Sequence, residues 1–282
     1  MMDVLFAWLQ TSPGILWCVG VFLAGAAVGF GLSRVVARRR VVAWIGGPVL
    51  GLACLGTVWA AEYVEPLPRF VLDAHDIGQV VPVGQSRLAW LADRVHGRKY
   101  LVLSFDDGPS NPRTDSAILA ILARHHAHAV FFSVCAHALS ADGRAALRAD
   151  VAAGDLVEDH SWTHPHLTQQ PAAVQHHEIA DSRAFLRQLT GQSVDWFRPP
   201  FGQADPAVRT QIRQAGMQEV MWGANSQDSW LRSPSDIQHW STRQACNGAI
   251  LLLHSHATTA AALDATLSDL ERMGYRFVMP VT

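Results

Sequence analysis

The sequence predicts a barrel-like α/β domain of about seven strand–helix units behind a membrane anchor of two helices. Three observations carry this prediction. Two long uncharged apolar runs stand at the amino end, short apolar runs then alternate with punctuated helical stretches, and polar clusters follow the apolar runs directly. Apolar strands alternating with helices give a parallel sheet with helical crossovers, and such folds hold their sites at the strand C-termini.

The two amino-terminal runs, Ile15–Leu32 and Val41–Ala61, are 18 and 21 residues long. About 20 apolar residues in a helix cross the hydrocarbon core of a bilayer. Between them Ser33–Arg40 carries four arginines, and a cationic loop stays cytoplasmic, so both flanking ends point outward. A cleaved signal peptide is the rival reading, but it wants its positive charge ahead of the apolar run, where only Asp3 is charged. Residues 1–61 are therefore expected to be the anchor and 62–98 an extracytoplasmic stalk, stiffened by Pro66 and Pro68 and holding a short amphipathic stretch, Arg87–Val95.

The globular domain is expected over residues 99–282. Its predicted strands are Tyr100–Phe105, Ala129–Val134, Leu156–Glu158, Trp196–Arg198, Glu219–Trp222, Ala249–His254 and Phe277–Met279. Helix punctuation lies between them. Asp205-Pro206 starts a helix that Gly216 stops, Ser233-Pro234 starts another, Pro171 opens one that Gly191 ends, and Thr258 or Thr259 caps a last one closed by Gly274.

Composition excludes several classes. The chain is 49% hydrophobic and 16% charged, too apolar for disorder. Its formal charge is −2, and without residues 1–61 the remainder stands at −5, so no basic surface is left for nucleic acid. Four cysteines in 282 residues make no disulfide scaffold. Cys135 and Cys246 are either a pair formed in an oxidising compartment or two free thiols.

Five clusters carry chemistry. In Ser104-Phe105-Asp106-Asp107-Gly108-Pro109-Ser110, one carboxylate can ligate a metal while its neighbour serves as a base, although Asp-Asp-Gly is equally a capping turn. In His160-Ser161-Trp162-Thr163-His164-Pro165-His166, two histidines at i and i+4 can face one ion from a single helical turn, although a His-rich chain also yields such pairs by chance. Arg198, in Phe197-Arg198-Pro199-Pro200-Phe201-Gly202, can hold a carboxylate in a bidentate fork or be a surface residue of a Pro-Pro turn. Asn225–Trp230 is polar and aromatic. His254 ends an apolar strand, poised as a general acid or satisfied within the core. The remaining histidines, His137 among them, receive no role.

In this order the five clusters resemble the polysaccharide deacetylase family (the NodB-homology domain, carbohydrate esterase family four), over about Lys99 to Pro280. The resemblance implies a distorted (β/α) barrel and a metal-dependent hydrolase that removes N- or O-acetyl groups from sugars. It implies Asp106 as general base, and Asp107, His160 and His164 as ligands of one divalent ion, zinc or cobalt. Arg198 would brace Asp106 and hold it ionised by depressing its pKa. His254 would be the general acid, held by Asp228. Leu252 and Trp230 would line the slot for the acetyl methyl, and the backbone N–H of Phe201 would help hold the oxyanion. The chain departs from the family pattern at Asn225, Ser229, Phe201 and Ser255, none of them a metal ligand or the base.

The function expected is N-deacetylation of an extracytoplasmic glycan, whether peptidoglycan, exopolysaccharide or a chitin-type oligomer, by a two-pass membrane protein. An O-acetyl esterase or a deacylase of a lipid-linked sugar uses the same catalyst. A catalytically silent glycan-binding protein is the alternative of another class. The expected partners are the acetylated glycan and the bilayer.

Overall fold

The computed structural model describes residues 69–73, 76–83 and 99–280. The expected membrane helices at 15–32 and 41–61, and the Arg87–Val95 stretch, lie outside the described residues. Among the described residues no helix is long and apolar enough to cross a membrane.

The core is a curled parallel sheet. Its strands are β3 (Lys99–Gly108), β4 (Ala129–Ser133), β5 (Leu156–Asp159), β6 (Trp196–Phe197), β7 (Gln218–Glu219), β8 (Ala224–Asn225) and β9 (Ile250–His254), in the order β7-β6-β5-β4-β3-β9-β8. A further strand, β10 (Tyr275–Phe277), pairs with the first residues of β3. Helices α1 (Pro112–Arg124), α2 (Ala141–Ala153), α3 (Ala172–His176), α4 (Ser182–Thr190), α5 (Pro206–Gln214), α6 (Pro234–Gln244) and α7 (Ala257–Arg272) supply the outer layer, with a π-helical turn, His177–Asp181, joining α3 to α4.

Strand alternation sorts the side chains of the central strands onto two faces. Leu101, Leu103 and Phe105 of β3, Phe131 of β4 and Leu251 and Leu253 of β9 pack outward against Ile118 and Leu122 of α1 and Leu263 and Leu267 of α7. The intervening residues Tyr100, Val102, Val130, Phe132, Trp196 and Ile250 fill the barrel interior. Because successive side chains take opposite faces, the inward series on β3 runs Tyr100, Val102, Ser104, Asp106. On β9 it runs Ile250, Leu252, His254. Apolar residues thus fill the lower interior, and polar ones arrive together at the C-terminal rim.

The helix ends follow local chemistry. Asn111, Ser140 and Asp205 accept the N–H of Thr114, Gly143 and Val208 at 3.1, 2.9 and 2.8 Å, capping α1, α2 and α5. Thr259, expected as a possible cap, lies inside α7, whose N-cap is His256. Its hydroxyl is committed elsewhere, as described below. Of the expected strand Glu219–Trp222 only Glu219 lies in a strand, β7 (Gln218–Glu219), which pairs with β6; the next strand, Ala224–Asn225, pairs with β9. The chain crosses here between the two edges of the sheet, which do not pair with each other among the described residues.

A hairpin covers this seam. Part of the segment expected as stalk forms β1 (Arg69–Leu72) and β2 (Val80–Val83), which pair antiparallel. Its turn reaches both edges: Met221 N–H donates to Ile77 O and Ile250 N–H to Gly78 O, each at 3.0 Å. A Cβ on Gly78 would lie 2.6 Å from the Trp222 carbonyl, so only glycine fits.

One buried acid departs from this economy. Burial pushes the Asp150 carboxyl on α2 up to about 8, with the charges of Asp155 and Asp115 adding to it. An unfolded Asp titrates near ~3.9, so the fold holds this proton more tightly than the unfolded chain does. The stabilising contribution is complete below about 4 and is lost as pH rises towards about 8. Asp150→Asn is expected to gain in melting temperature on the parent from pH 5 to pH 9; thermal melts at both pH values check this, and a constant difference would contradict it.

Candidate active site

At the C-terminal rim the inward residues of β3 and β6 meet as an ion pair. Arg198, completely buried, donates through Nη1 to Asp106 Oδ1 at 2.6 Å and to Ser104 Oγ at 2.9 Å. Its Nε and Nη2 donate to the carbonyls of Val220 and Met221 at 3.2 and 2.9 Å. The guanidinium lies 3.9 Å from the Phe132 ring centroid, a cation–π contact. The expected brace therefore forms. Its electrostatic outcome differs from expectation: burial raises the Asp106 carboxyl, and this outweighs the lowering by Arg198, the largest opposing influence.

Asp107 would point to the outer layer if β3 ran on regularly. Instead the register against β4 shifts between Asp106 and Gly108, and Asp107 takes a left-handed φ of 66°. That kink returns its carboxylate to the rim beside its neighbour. Asp107 Oδ1 lies 3.5 Å from His160 Nε2 and 3.4 Å from His164 Nε2. The three ligand atoms lie within 4.8 Å of one another.

His160 and His164 do not share a helical turn, as their spacing had suggested. They sit on a loop in which Ser161 and His164 have φ of 73° and 60°. This loop, rather than an i,i+4 helix face, turns both rings to one point. The chemistry of the donors fits a divalent ion. His160 Nδ1 faces the Arg198 carbonyl at 2.7 Å; a carbonyl only accepts, so Nδ1 carries the proton and Nε2 presents its lone pair. Burial lowers His160 to about 3 and also lowers His164, favouring the neutral form that ligation requires. Two histidines and one aspartate leave coordination positions open, as catalytic sites need.

Beside Asp106, its register partner on β3, His254 pairs with Asp228. The imidazole Nδ1 lies 2.7 Å from Asp228 Oδ1, while the His254 backbone N–H and the Thr259 hydroxyl donate to Oδ2 at 2.7 and 2.6 Å. Burial alone would lower His254, but the Asp228 hydrogen bond and charge, with Asp106 and Asp107 behind them, push it up to about 9. Burial alone would raise Asp228; the bonds from His254 and Thr259 take it below the usual range. The departures at Asn225 and Ser229 leave this pair intact. Asn225 Oδ1 accepts the Gln227 N–H at 2.7 Å, and Gln227 turns left-handed, delivering a buried Asp228 to His254.

The expected substrate residues divide by exposure. Leu252 is buried two residues before His254 on the inward face of β9. Trp230 is 60% exposed, its indole N–H donating to Gln227 Oε1 at 3.2 Å. Phe201, left-handed at φ 58°, stacks on His166 at 4.0 Å and meets His164 edge-on at 4.6 Å. An open pocket of about 500 Å³ adjoins the trio, lined in part by Asp107, Ser110, His137, His164 and His256. Sequence reasoning missed His137, whose Nδ1 lies 3.0 Å from Asp107 O, and His256, stacked on His254 at 5.4 Å. Neither follows an apolar strand directly, so no sequence signal marks them. Cys135 is buried and Cys246 exposed, and both are free.

A family model described as polysaccharide deacetylase matches residues 93–220. Peptidoglycan-N-acetylglucosamine deacetylase PgdA of Listeria monocytogenes is 33% identical over 181 residues, covering 64% of this chain but 38% of the relative. The chain thus spans under two fifths of that curated relative's length. Among solved structures, the family 4 carbohydrate esterase from Streptomyces lividans, in complex with acetate, is 32% identical at a TM-score of 0.59, covering 64% of this chain and 92% of that one. A CE4 family pseudoenzyme from Bacillus anthracis is 25% identical at a TM-score of 0.60, covering 64% of this chain and 63% of that one. Likeness of fold therefore spans active and inactive proteins, and the residues at the rim must decide.

The trio makes its own prediction. Zinc at about 1,000 times its dissociation constant stabilises a binding protein by about 4 kcal/mol. Thermal melts are expected to move upward with zinc, to return on chelation, and to lose the response in His160→Ala.

Proposed function

Because the chain belongs to the polysaccharide deacetylase family, we propose that it is a metal-dependent hydrolase removing N-acetyl groups from an extracytoplasmic glycan containing N-acetylglucosamine. The observation that carries this reading is the pairing of two proton-handling groups, Asp106 on Arg198 and His254 on Asp228, side by side on β3 and β9 and next to a histidine–aspartate trio. The name of the Listeria relative supports peptidoglycan as a substrate class.

Amide hydrolysis needs an activated water, a stabilised oxyanion and a protonated leaving nitrogen. A divalent ion held by Asp107, His160 and His164 would supply Lewis-acid polarisation of the acetyl carbonyl and lower the pKa of water. Asp106, fixed by Arg198, accepts the proton of the attacking water as the C–O bond forms. The Phe201 N–H is offered to the developing oxyanion. His254 donates its proton to the departing sugar nitrogen as the C–N bond breaks, giving acetate and a free amine. Leu252 and Trp230 border the acetyl methyl. The apolar runs at 15–32 and 41–61, with four arginines between them, support a two-pass anchor that leaves this domain outside the cytoplasm.

Acetate release from N-acetylglucosamine oligomers and peptidoglycan, with zinc or cobalt present, is the test. Activity is expected on the amide substrates, lost on chelation and in Asp106→Asn. Release mainly from an O-acetylated xylan would replace this reading with an O-acetyl esterase. A metal-loaded protein inert on all of them would turn attention to a lipid-linked sugar or to glycan binding without turnover.

The acid gives a pH signature. His254, pushed up to about 9, holds its proton below that value and loses it above, so kcat falls on the alkaline side. His254→Ala is expected to lower kcat by about 10²–10⁴-fold. Asp228→Asn retains the imidazole but removes the charge that raises it, so the alkaline limb of a kcat–pH profile should move to lower pH. An unmoved limb would assign it to another group.

A further inference from the structure

Beneath the His160–His164 loop lie two buried carboxyl groups that the proposed chemistry does not use. Asp159 is completely buried and Glu178 is 4% exposed. Glu178 takes both polar hydrogens of one residue: Thr163 N–H at 2.7 Å on Oε2 and Thr163 O–H at 2.6 Å on Oε1. Thr163 immediately precedes His164, whose own backbone is left-handed. Asp159, just before His160, accepts the Ser161 N–H at 2.8 Å and the Ser182 hydroxyl at 2.6 Å.

Both anchors converge on one place in the helical layer. Glu178 lies in the π-helical turn His177–Asp181, and Ser182 is the first residue of α4. A π turn interrupts the regular run of helical hydrogen bonds, and such turns recur at functional sites. Here the Glu178 carbonyl receives the Trp162 N–H at 3.2 Å. The loop is thus tied at Asp159, Trp162 and Thr163 to a single turn. The Trp162 ring also packs at a tilt against His177 and Phe185, at 4.8 and 5.3 Å.

We propose that Glu178, through its two-pronged grip on Thr163, is a positioning residue that sets the orientation of His164 for metal binding, with Ser182–Asp159 doing the same for His160. The physical reason is directional. A left-handed residue such as His164 does not hold its conformation by local preference, so the ring direction is imposed by contacts on both sides of the Thr163–His164 peptide: Ser161 Oγ, which accepts the His164 N–H at 2.9 Å, and Glu178, which fixes Thr163. A carboxylate accepts at both oxygens, whereas glutamine offers an N–H₂ group to one of the two Thr163 donors, which then goes unmet. Outer partners of this kind hold metal ligands in line.

This inference rests on reading Asp107, His160 and His164 as metal ligands, and the test separates the two. Zinc dissociation constants would be measured on the full chain by competition with a chromophoric chelator, with circular dichroism and apo-protein melts recording folding. Glu178→Gln and Thr163→Val are expected to weaken zinc binding by about 10–100-fold, while Thr163→Ser, which keeps the hydroxyl, stays at the parental value. Thr163→Val leaves charge unchanged, so a loss there cannot come from electrostatics alone. A purely structural role would lower the apo melting temperature and leave the affinity of the folded protein unaltered. Dissociation constants within about twofold of the parent in both folded variants would overturn the proposal. A parent that binds no zinc would overturn the ligand assignment, and this inference with it.

Discussion

The buried guanidinium of Arg198 is the contact on which the rest of the rim depends. Burying a charge costs several kcal/mol unless its donors are met. Four of its hydrogen bonds reach Asp106, Ser104, Val220 and Met221. Those partners lie on β3 and on the crossing between the sheet's two edges, so the side chain helps join a barrel that strand pairing leaves open. Its main chain works in the opposite direction across the sheet. Arg198 N–H donates to Asp159 O at 2.9 Å, and its carbonyl receives His160 Nδ1. One residue thereby holds the proposed base, the tautomer of His160 and the closure of the seam.

The rim is also where the chain stores conformational strain. Among the described residues, Asp107, His126, Ser161, His164, Phe201 and Gln227 are the non-glycines with positive φ. All except His126, which follows α1, belong to the site. Each costs on the order of 1–3 kcal/mol and persists only where its surroundings over-determine it. The surroundings are visible in each case: a register shift at Asp107, the Ser161 hydroxyl on the His164 N–H, the His166 stack on Phe201 and the Asn225 side chain on Gln227. The apolar interior and outer core supply the stability against which that strain is held.

This division explains how much was legible in the sequence. Strands such as Ala129–Ser133 and Ile250–His254 are buried on both faces, so they read as continuous apolar runs, and the residues just beyond them read as the site. The helices punctuated by Asp205-Pro206 and Gly191 were equally plain. What escaped was set by tertiary contacts. The His160 to His164 spacing implied a helical turn, but the loop is held by Glu178 and Asp159, which stand outside the motif. Glu219–Trp222 read as one strand because apolarity does not reveal where a sheet fails to close. His137 and His256 stand a few residues past β4 and β9 and belong to none of the five clusters.

Arg198 lowers Asp106, as expected, but burial, the larger influence, raises it. What keeps base and acid in opposite roles is a wider pattern. Arg198, Asp106, His254 and Asp228 alternate in sign when the base is ionised and the acid protonated. Each inner member favours the other: His254 lowers Asp106, and Asp106 raises His254. The outer members do the same at closer range, through hydrogen bonds of 2.6 and 2.7 Å. Protonating Asp106 would leave Arg198 a buried cation without its counter-ion, and deprotonating His254 would leave Asp228 a buried anion without its own. Low dielectric penalises both states, so the proton distribution that the proposed hydrolysis requires is the one these four charges favour, against the raising of Asp106 by burial.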